Sequence, residues 1–218
     1  MSEFTAAPIG CLIMAAGNAS RFGENKLTAS FAGKSLFSLA LAAIPADTFA
    51  RVTVVSQYPA LLQEAEQAGF HAIRNDRPDD GISRTIRLGT EAMADCAGIL
   101  YMVADQPLLR QETVLRIVQD WRQHPGCIVG AAHNGHRGNP CLFPARFFPE
   151  LCALEGDRGG SSVIRRHEDA LRLVEAAEPE LSDCDTKQAL EILKGQAGAC
   201  SLFMPGARRS GGSGCGRW

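Results

Sequence analysis

The chain has 218 residues, 45% of them apolar, and a formal charge of −2, enough to bury the core of one generous domain. That charge argues against a nucleic-acid surface, which shows as a basic excess, but is compatible with one small anionic ligand. No apolar run approaches the ~18 residues of a membrane span, and the opening MSEFTAAPIG lacks the basic start and long apolar stretch of a secretory signal.

In chain order, short apolar runs alternate with amphipathic stretches. Ile9–Met14, Val52–Ser56, Ile99–Val103 and Cys127–Ala131 read as buried strands. Between them Leu36–Ile44, Pro59–Ala68, Ile82–Met93 and Glu112–Arg122 carry apolar residues at helical spacing. This alternation predicts crossovers, a mostly parallel sheet and an α/β layer sandwich. A further β run at Cys141–Phe143 leads into helical segments at Ala145–Ala153, Ser161–His167 and Thr186–Leu193. Residues 1–200 are expected to form a single domain. The remainder, 201–218, ends in PGARRSGGSGCGRW, whose Gly, Ser and Arg cannot repay the entropy of ordering, and a disordered tail is expected there. The eight cysteines (Cys11, Cys96, Cys127, Cys141, Cys152, Cys184, Cys200 and Cys215) form no CxxC pair. They read as reduced core thiols of a cytoplasmic protein.

The loop that leaves the first strand is AAGNASRFGENK, Ala15 to Lys26. Open α/β sheets bind ligands beyond the carboxyl ends of their strands, which is where this loop lies. Ala15, Ala16 and Gly17 let the backbone come close to a ligand, and Gly23 permits a second bend. Arg21 can fork onto phosphate oxygens and Lys26 supplies a compact charge. Neither the dinucleotide fingerprint nor the P-loop fits, because Gly17 is followed by Asn18–Ala19. The GKS at Gly33–Ser35 has Thr28 where the first P-loop glycine belongs.

GILYMVADQPLL is an apolar strand that ends in Asp105. A carboxylate at such a tip is costly unless it meets a cation or donors, and a hard divalent ion bridging protein and phosphates would satisfy it. In LSDCDTKQAL, Asp183 and Asp185 are further acidic candidates, although Asp185 could equally N-cap the following helix. His133 and His136 lie in the polar run HNGHRGNP, where they either flank a ligand or are simply exposed. Asn139, which both donates and accepts, and the adjoining Pro140 are the stronger ligand candidates there.

Taken in order, these stretches resemble the nucleotidyltransferase family of molybdenum-cofactor synthesis, the MobA-like domain of molybdopterin cytidylyltransferases and similar accessory proteins. AAGNASRFGENK is similar to the family's A-A-G-x-S-x-R-[MF]-G-x-x-K, with Ala19 in place of serine. Asp105–Pro107 resembles its D-Q-P, and GISRTIRLG its G-x-S-x-S-x-x-x-G, with Thr85 for a serine. RGNPCLFP, LEGDRGGSSVIRRH and Asp183–Thr186 resemble its later segments. The resemblance implies a three-layer sandwich with a Rossmann-like sheet, of the nucleotide-diphospho-sugar transferase type. It further implies transfer of CMP from CTP to a molybdopterin-type phosphate, with release of pyrophosphate.

By the same resemblance, Arg21, Lys26 and Asp105 are catalytic, and Ala15, Ala16, Gly17, Arg21, Gly23, Lys26 and Thr85 bind the nucleotide. Asp105 and Asp185 hold magnesium, and Asn139, Pro140 and Asp157 meet the acceptor. A molybdenum hydroxylase would be the partner, with neither nucleic acid nor membrane involved. Ala16 points to CTP, because guanylyl-transferring relatives read A-G-G. The family arginine after G-D-x-G-A is Ser161 here, so that either Arg158, Arg165 or Arg166 grips the acceptor phosphate or the acceptor differs. Open alternatives are a GTP-using or other phosphate nucleotidyltransferase, a related reductase, or a cofactor-binding accessory protein.

Overall fold

The computed structural model describes residues 7–17 and 25–201. Arg21 and Gly23, and the expected disordered tail Pro205–Trp218, lie outside the described residues. The strands are β1 (Ile9–Ala15), the two-residue pair β2 (Ser30–Phe31) and β3 (Lys34–Ser35), β4 (Arg51–Ser56), β5 (His71–Arg74), β6 (Gly98–Val103), β7 (Ile128–His133), β8 (His136–Pro144) and β9 (Leu171–Glu175). The helices are α1 (Leu36–Ala42), α2 (Pro59–Gln67), α3 (Ile82–Glu91), α4 (Gln111–Gln123), α5 (Phe148–Cys152), α6 (Ser161–Ile164) and α7 (Lys187–Ser201).

Seven strands form one sheet in the order β5-β4-β1-β6-β8-β7-β9. All neighbours are parallel except β8, which runs antiparallel to both β6 and β7. The chain builds outward from β1 through β4 to β5 and then returns to place β6 on the other side of β1. The crevice at the carboxyl ends of β1 and β6 is therefore the switch point of the sheet.

Successive residues of the central strands bury on opposite faces. Cys11 and Ile13 of β1, with Leu100 and Met102 of β6, join Phe37 (α1), Leu61 (α2) and Trp121 (α4) in one cluster. Leu12 of β1, with Ile99 and Tyr101 of β6, joins Ile86 (α3), Leu151 (α5) and Val163 (α6) in a second. Two helical layers thus enclose the sheet, and this two-sided burial explains why the strands read as continuous apolar runs. A third cluster packs Leu190 and Leu193 of α7, with Cys184, against Phe31 and Leu36. It anchors the segment before α7 over the carboxyl edge of the sheet.

Two local readings are corrected, and the reading of GKS as no P-loop is kept. HNGHRGNP is not a loop: Asn134 and Gly135, at φ 50° and 78°, make a tight turn between β7 and β8, and His133 pairs with His136 across it. His133 is engaged there by the Ala176 carbonyl. Ser35 of the GKS sequence accepts from the Ser38 N–H at 2.9 Å as the N-cap of α1. The edge strands β5 and β9, absent from the sequence reading, complete the sheet.

Among the described residues, Cys11, Cys96, Cys127, Cys141, Cys152 and Cys184 are free thiols. No helix there is long and apolar enough to cross a membrane.

Candidate active site

The switch-point crevice opens into a cavity of about 470 Å³. Ala15, Ala16, Gly17, Lys26, Gly81, Thr85, Asp105 and Asp157 are among the residues that line it. The backbone leaving β1 is fixed by three consecutive residues, the last of β4 and the two that follow it. The carbonyls of Ala15, Ala16 and Gly17 accept from Ser56 Oγ (2.8 Å), Gln57 Nε2 (2.9 Å) and Tyr58 OH (3.2 Å). Among the described residues, a Cβ on Gly17 would meet no atom within 4 Å, and Gly17 lines the cavity.

The chain then reaches Asn25, whose side chain accepts from the Leu27 N–H at 3.1 Å and caps a short 3₁₀ turn, Lys26–Thr28. With Leu27 buried as the anchor, Lys26 turns back across the crevice. Its Nζ lies 2.6 Å from Asp105 Oδ2 and 2.7 Å from Asp185 Oδ1.

Asp105 is held from the other side. The Cys184 N–H donates to the Asp105 carbonyl at 2.8 Å. Gln106 Nε2 donates to the Leu181 carbonyl and to the Asp183 carboxylate, at 3.1 and 3.0 Å. This staple brings the Asp183–Asp185 segment beside the tip of β6. Asp185 does not cap α7, because the hydroxyl of Thr186 accepts from the Ala189 N–H at 3.0 Å. The Asp185 carboxylate is thereby available to Lys26.

Burial alone would lower the Lys26 pKa. The Asp105 charge and hydrogen bond, with those of Asp185, outweigh it and hold the ammonium above its ordinary value. Asp183 is pushed up, first by burial and then by the Asp105 charge.

The far wall is a contact between two loops. Gly81 stands at φ 82°, and a Cβ there would lie 2.3 Å from the Gly156 carbonyl carbon. The Ser83 N–H donates to the Gly156 carbonyl at 3.1 Å. Only glycine fits such a backbone-to-backbone approach at that φ. It sets Thr85 and Asp157 along one cavity. The Thr85 hydroxyl is buried and accepts from Asn75 Nδ2 at 3.3 Å.

The residues fit a hard divalent cation. Asp105 Oδ1 is buried without a hydrogen-bond partner among the described residues, and its other oxygen and an oxygen of Asp185 converge on one cationic atom. Carboxylate oxygens in such an arrangement suit magnesium or manganese.

Asn139 lines a second, smaller cavity of about 120 Å³, which shares Met14, Ile82 and Val103 with the first. Pro140 is buried in β8 and lines neither cavity. The expectation that Arg158, Arg165 or Arg166 replaces the arginine missing at Ser161 is not met. Arg166 pairs with Glu150 at 2.8 Å, Arg158 lines a separate recess with both, and Arg165 is exposed. It is Arg137 that reaches Ser161, with Nη2 2.7 Å from the hydroxyl. In the sequence it opens RGNPCLFP, one of the segments that resemble the family's, and it lies on β8, whose antiparallel run starts beside the carboxyl end of β6.

Comparison with known proteins agrees with this fold. The profile of the "MobA-like NTP transferase domain" matches residues 11–171. The purine catabolism protein PucB of Bacillus subtilis is 25% identical over 198 residues, covering 84% of this chain and 94% of PucB. The crystal structure of Rv0371c from Mycobacterium tuberculosis superposes with a TM-score of 0.73 at 21% identity, over 88% of this chain and 100% of that one. Rv0371c has also been solved in complex with manganese. A nucleotidyl transferase from Methanothermobacter, Mth528, superposes with a TM-score of 0.74 at 20% identity, over 88% of this chain and 99% of its own. At these identities the structures establish the shared fold.

Proposed function

The chain belongs to the MobA-like NTP transferase family, and from that premise we propose that it transfers CMP from CTP to a molybdopterin-type phosphate, using magnesium. The supporting observation is the Lys26 ammonium set between Asp105 and Asp185 at 2.6 and 2.7 Å, on the wall of a cavity floored by Ala15–Gly17. A cation and paired carboxylates on one crevice suit a metal-bound triphosphate.

An oxygen of the acceptor phosphate forms a bond to the α-phosphorus while the bond from that phosphorus to the β-bridging oxygen breaks. Pyrophosphate departs with the electron pair. A phosphate monoester is already anionic, so no general base is needed, and positioning carries the rate. Asp105 and Asp185 would hold magnesium, which offsets charge on the phosphate oxygens when bound. Lys26 would steady the triphosphate and the departing pyrophosphate, joined by Arg21 and the backbone around Gly23. Thr85 would face the nucleoside, and Asp157 and Asn139 the acceptor. The Ala16 methyl leaves less room for a purine than glycine would, which favours CTP over GTP. The product would pass to a molybdenum hydroxylase. The manganese bound by Rv0371c supports a divalent-ion requirement in this chain.

The test is pyrophosphate release with each of CTP, GTP, ATP and UTP, with and without molybdopterin. CTP with molybdopterin should lead, and Asp105→Asn should lower the rate by about two to three orders of magnitude while the fold is retained. Equal or faster GTP turnover would refute the choice of base. An Asp105→Asn protein as active as the parent would refute the assigned chemistry.

A further inference from the structure

The smaller cavity is walled mainly by apolar side chains, among them Met14, Ile82, Ile86, Tyr101, Phe143 and Leu151. Into it projects one guanidinium, that of Arg137, and no carboxylate lines it. Arg137 is half-buried and, among the described residues, donates only to neutral groups: the Ser161 hydroxyl at 2.7 Å, and the Cys141 sulfur and the Gly138 carbonyl at 3.5 Å. Among the described residues no carboxylate lies within ion-pair distance of it. A guanidinium with no counter-ion beside an apolar wall is costly.

The fold nevertheless holds it there in three ways. The pairing of β7 with β8 shifts register between Gly130 and Ala132, a bulge that re-aims the strand. Gly130 leaves room for the arginine stem, since a Cβ on it would sit 3.3 Å from Arg137 Cγ. Ser161 then fixes the tip from α6 on the opposite wall. Such prearrangement without a protein partner suits an anion brought by a ligand, which a guanidinium grips through two parallel hydrogen bonds.

The geometry points to Arg137 as the residue that reads the acceptor: the smaller cavity takes a ring-bearing acceptor through an oxyanion, the acceptor phosphate in the reading above, which pairs with the Arg137 fork. This rests on the reading of the larger cavity as the nucleotide site, because the shared wall of Met14, Ile82 and Val103 sets the two ligands side by side. Selectivity then follows from charge at Arg137 and shape against Tyr101 and Phe143.

The test uses benzoate as the anionic probe and benzamide as its neutral counterpart, with binding followed by ligand-observed NMR near neutral pH. Benzoate should bind the parent protein about tenfold more tightly than benzamide, the order expected for a charged hydrogen-bond pair. Arg137→Gln should remove that preference and leave benzamide unchanged. Arg137→Lys, which keeps the charge but not the fork, should fall between. With a competent acceptor, Arg137→Gln should raise the acceptor KM while the KM for CTP stays constant. Equal binding of benzoate and benzamide by the parent protein would overturn the assignment without needing any variant. So would an unchanged preference in a folded Arg137→Gln protein. If the benzoate preference holds but no nucleotide yields pyrophosphate, the transferase reading falls and the anion site stands.

Discussion

Replacing Lys26 by Met removes the one cation described between Asp105 and Asp185 and leaves a side chain of similar length. The Asp105 arm dominates, because the Lys26 and Asp105 side chains are 20% and 15% exposed whereas Asp185 is 59% exposed. At an effective dielectric of about 20, the attraction at roughly 4 Å is about 4 kcal/mol before desolvation. Stripping one partner from such a part-buried pair should cost about 2 kcal/mol net. The exposed Asp185 arm should contribute well under about 1 kcal/mol of this.

For a domain of this size, about 2 kcal/mol corresponds to a fall in Tm of ~4–8 °C. Without the ammonium, the three carboxylates Asp105, Asp183 and Asp185 repel one another, and the Asp183 carboxyl, already pushed up by burial and the Asp105 charge, loses the cation that opposes that rise. The penalty on ionised Asp183 is full above its raised folded pKa and fades as pH falls toward the unfolded value, so the loss should be greater at neutral pH than in mild acid. Urea melts of the parent and the variant across this range, with the m-value checked for constancy, measure it. A loss under about 0.5 kcal/mol, or one that does not vary with pH, would refute an electrostatic role for Lys26.

Three further substitutions test other parts of the site. Gly81→Ala places a methyl against Gly156 at a φ of 82° and should destabilise by more than about 2 kcal/mol in urea melts, with a raised KM for nucleotide. Asp183→Asn should raise Tm at neutral pH. The raised carboxyl pKa of Asp183 penalises the folded state above that pKa, and the penalty fades as pH falls toward the unfolded value, so in scanning calorimetry the gain should vanish in mild acid. Glu180→Ala should cost about 2 kcal/mol in urea melts, because this buried carboxylate accepts from the Arg110 N–H and the Thr113 hydroxyl, at 3.2 and 2.6 Å, where α4 begins. A near-neutral result would show that the first turn of α4 is satisfied by other means.

The strands that the sequence reading located are those buried on both faces. β1, β4, β6 and β7 bury nearly every residue, and their written letters are a run of apolar side chains. The edge strands HAIR and LRLVE carry charges and are half-exposed, which hides them from a search for apolar runs. The Asn134–Gly135 turn was written plainly in the letters, but the polar side chains around it disguised the hairpin. Lys26 and Asp105 were readable because each follows a buried strand of a parallel sheet. Asp185 was not, since a residue before a helix serves equally well as a cap until the competing hydroxyl of Thr186 is located.

The letters alone settled which segments lie inside, that the sheet is mainly parallel, and that a cationic loop and an acidic strand end share its carboxyl edge. These follow from local periodicity and from the fixed direction of parallel strands. Tertiary structure decided which carboxylates Lys26 meets and which arginine takes the place beside Ser161. Both depend on long-range packing, of α7 on the β2–β3 hairpin and of β8 reversed against β6. Contacts between residues more than 20 positions apart in the chain leave no periodic trace in it.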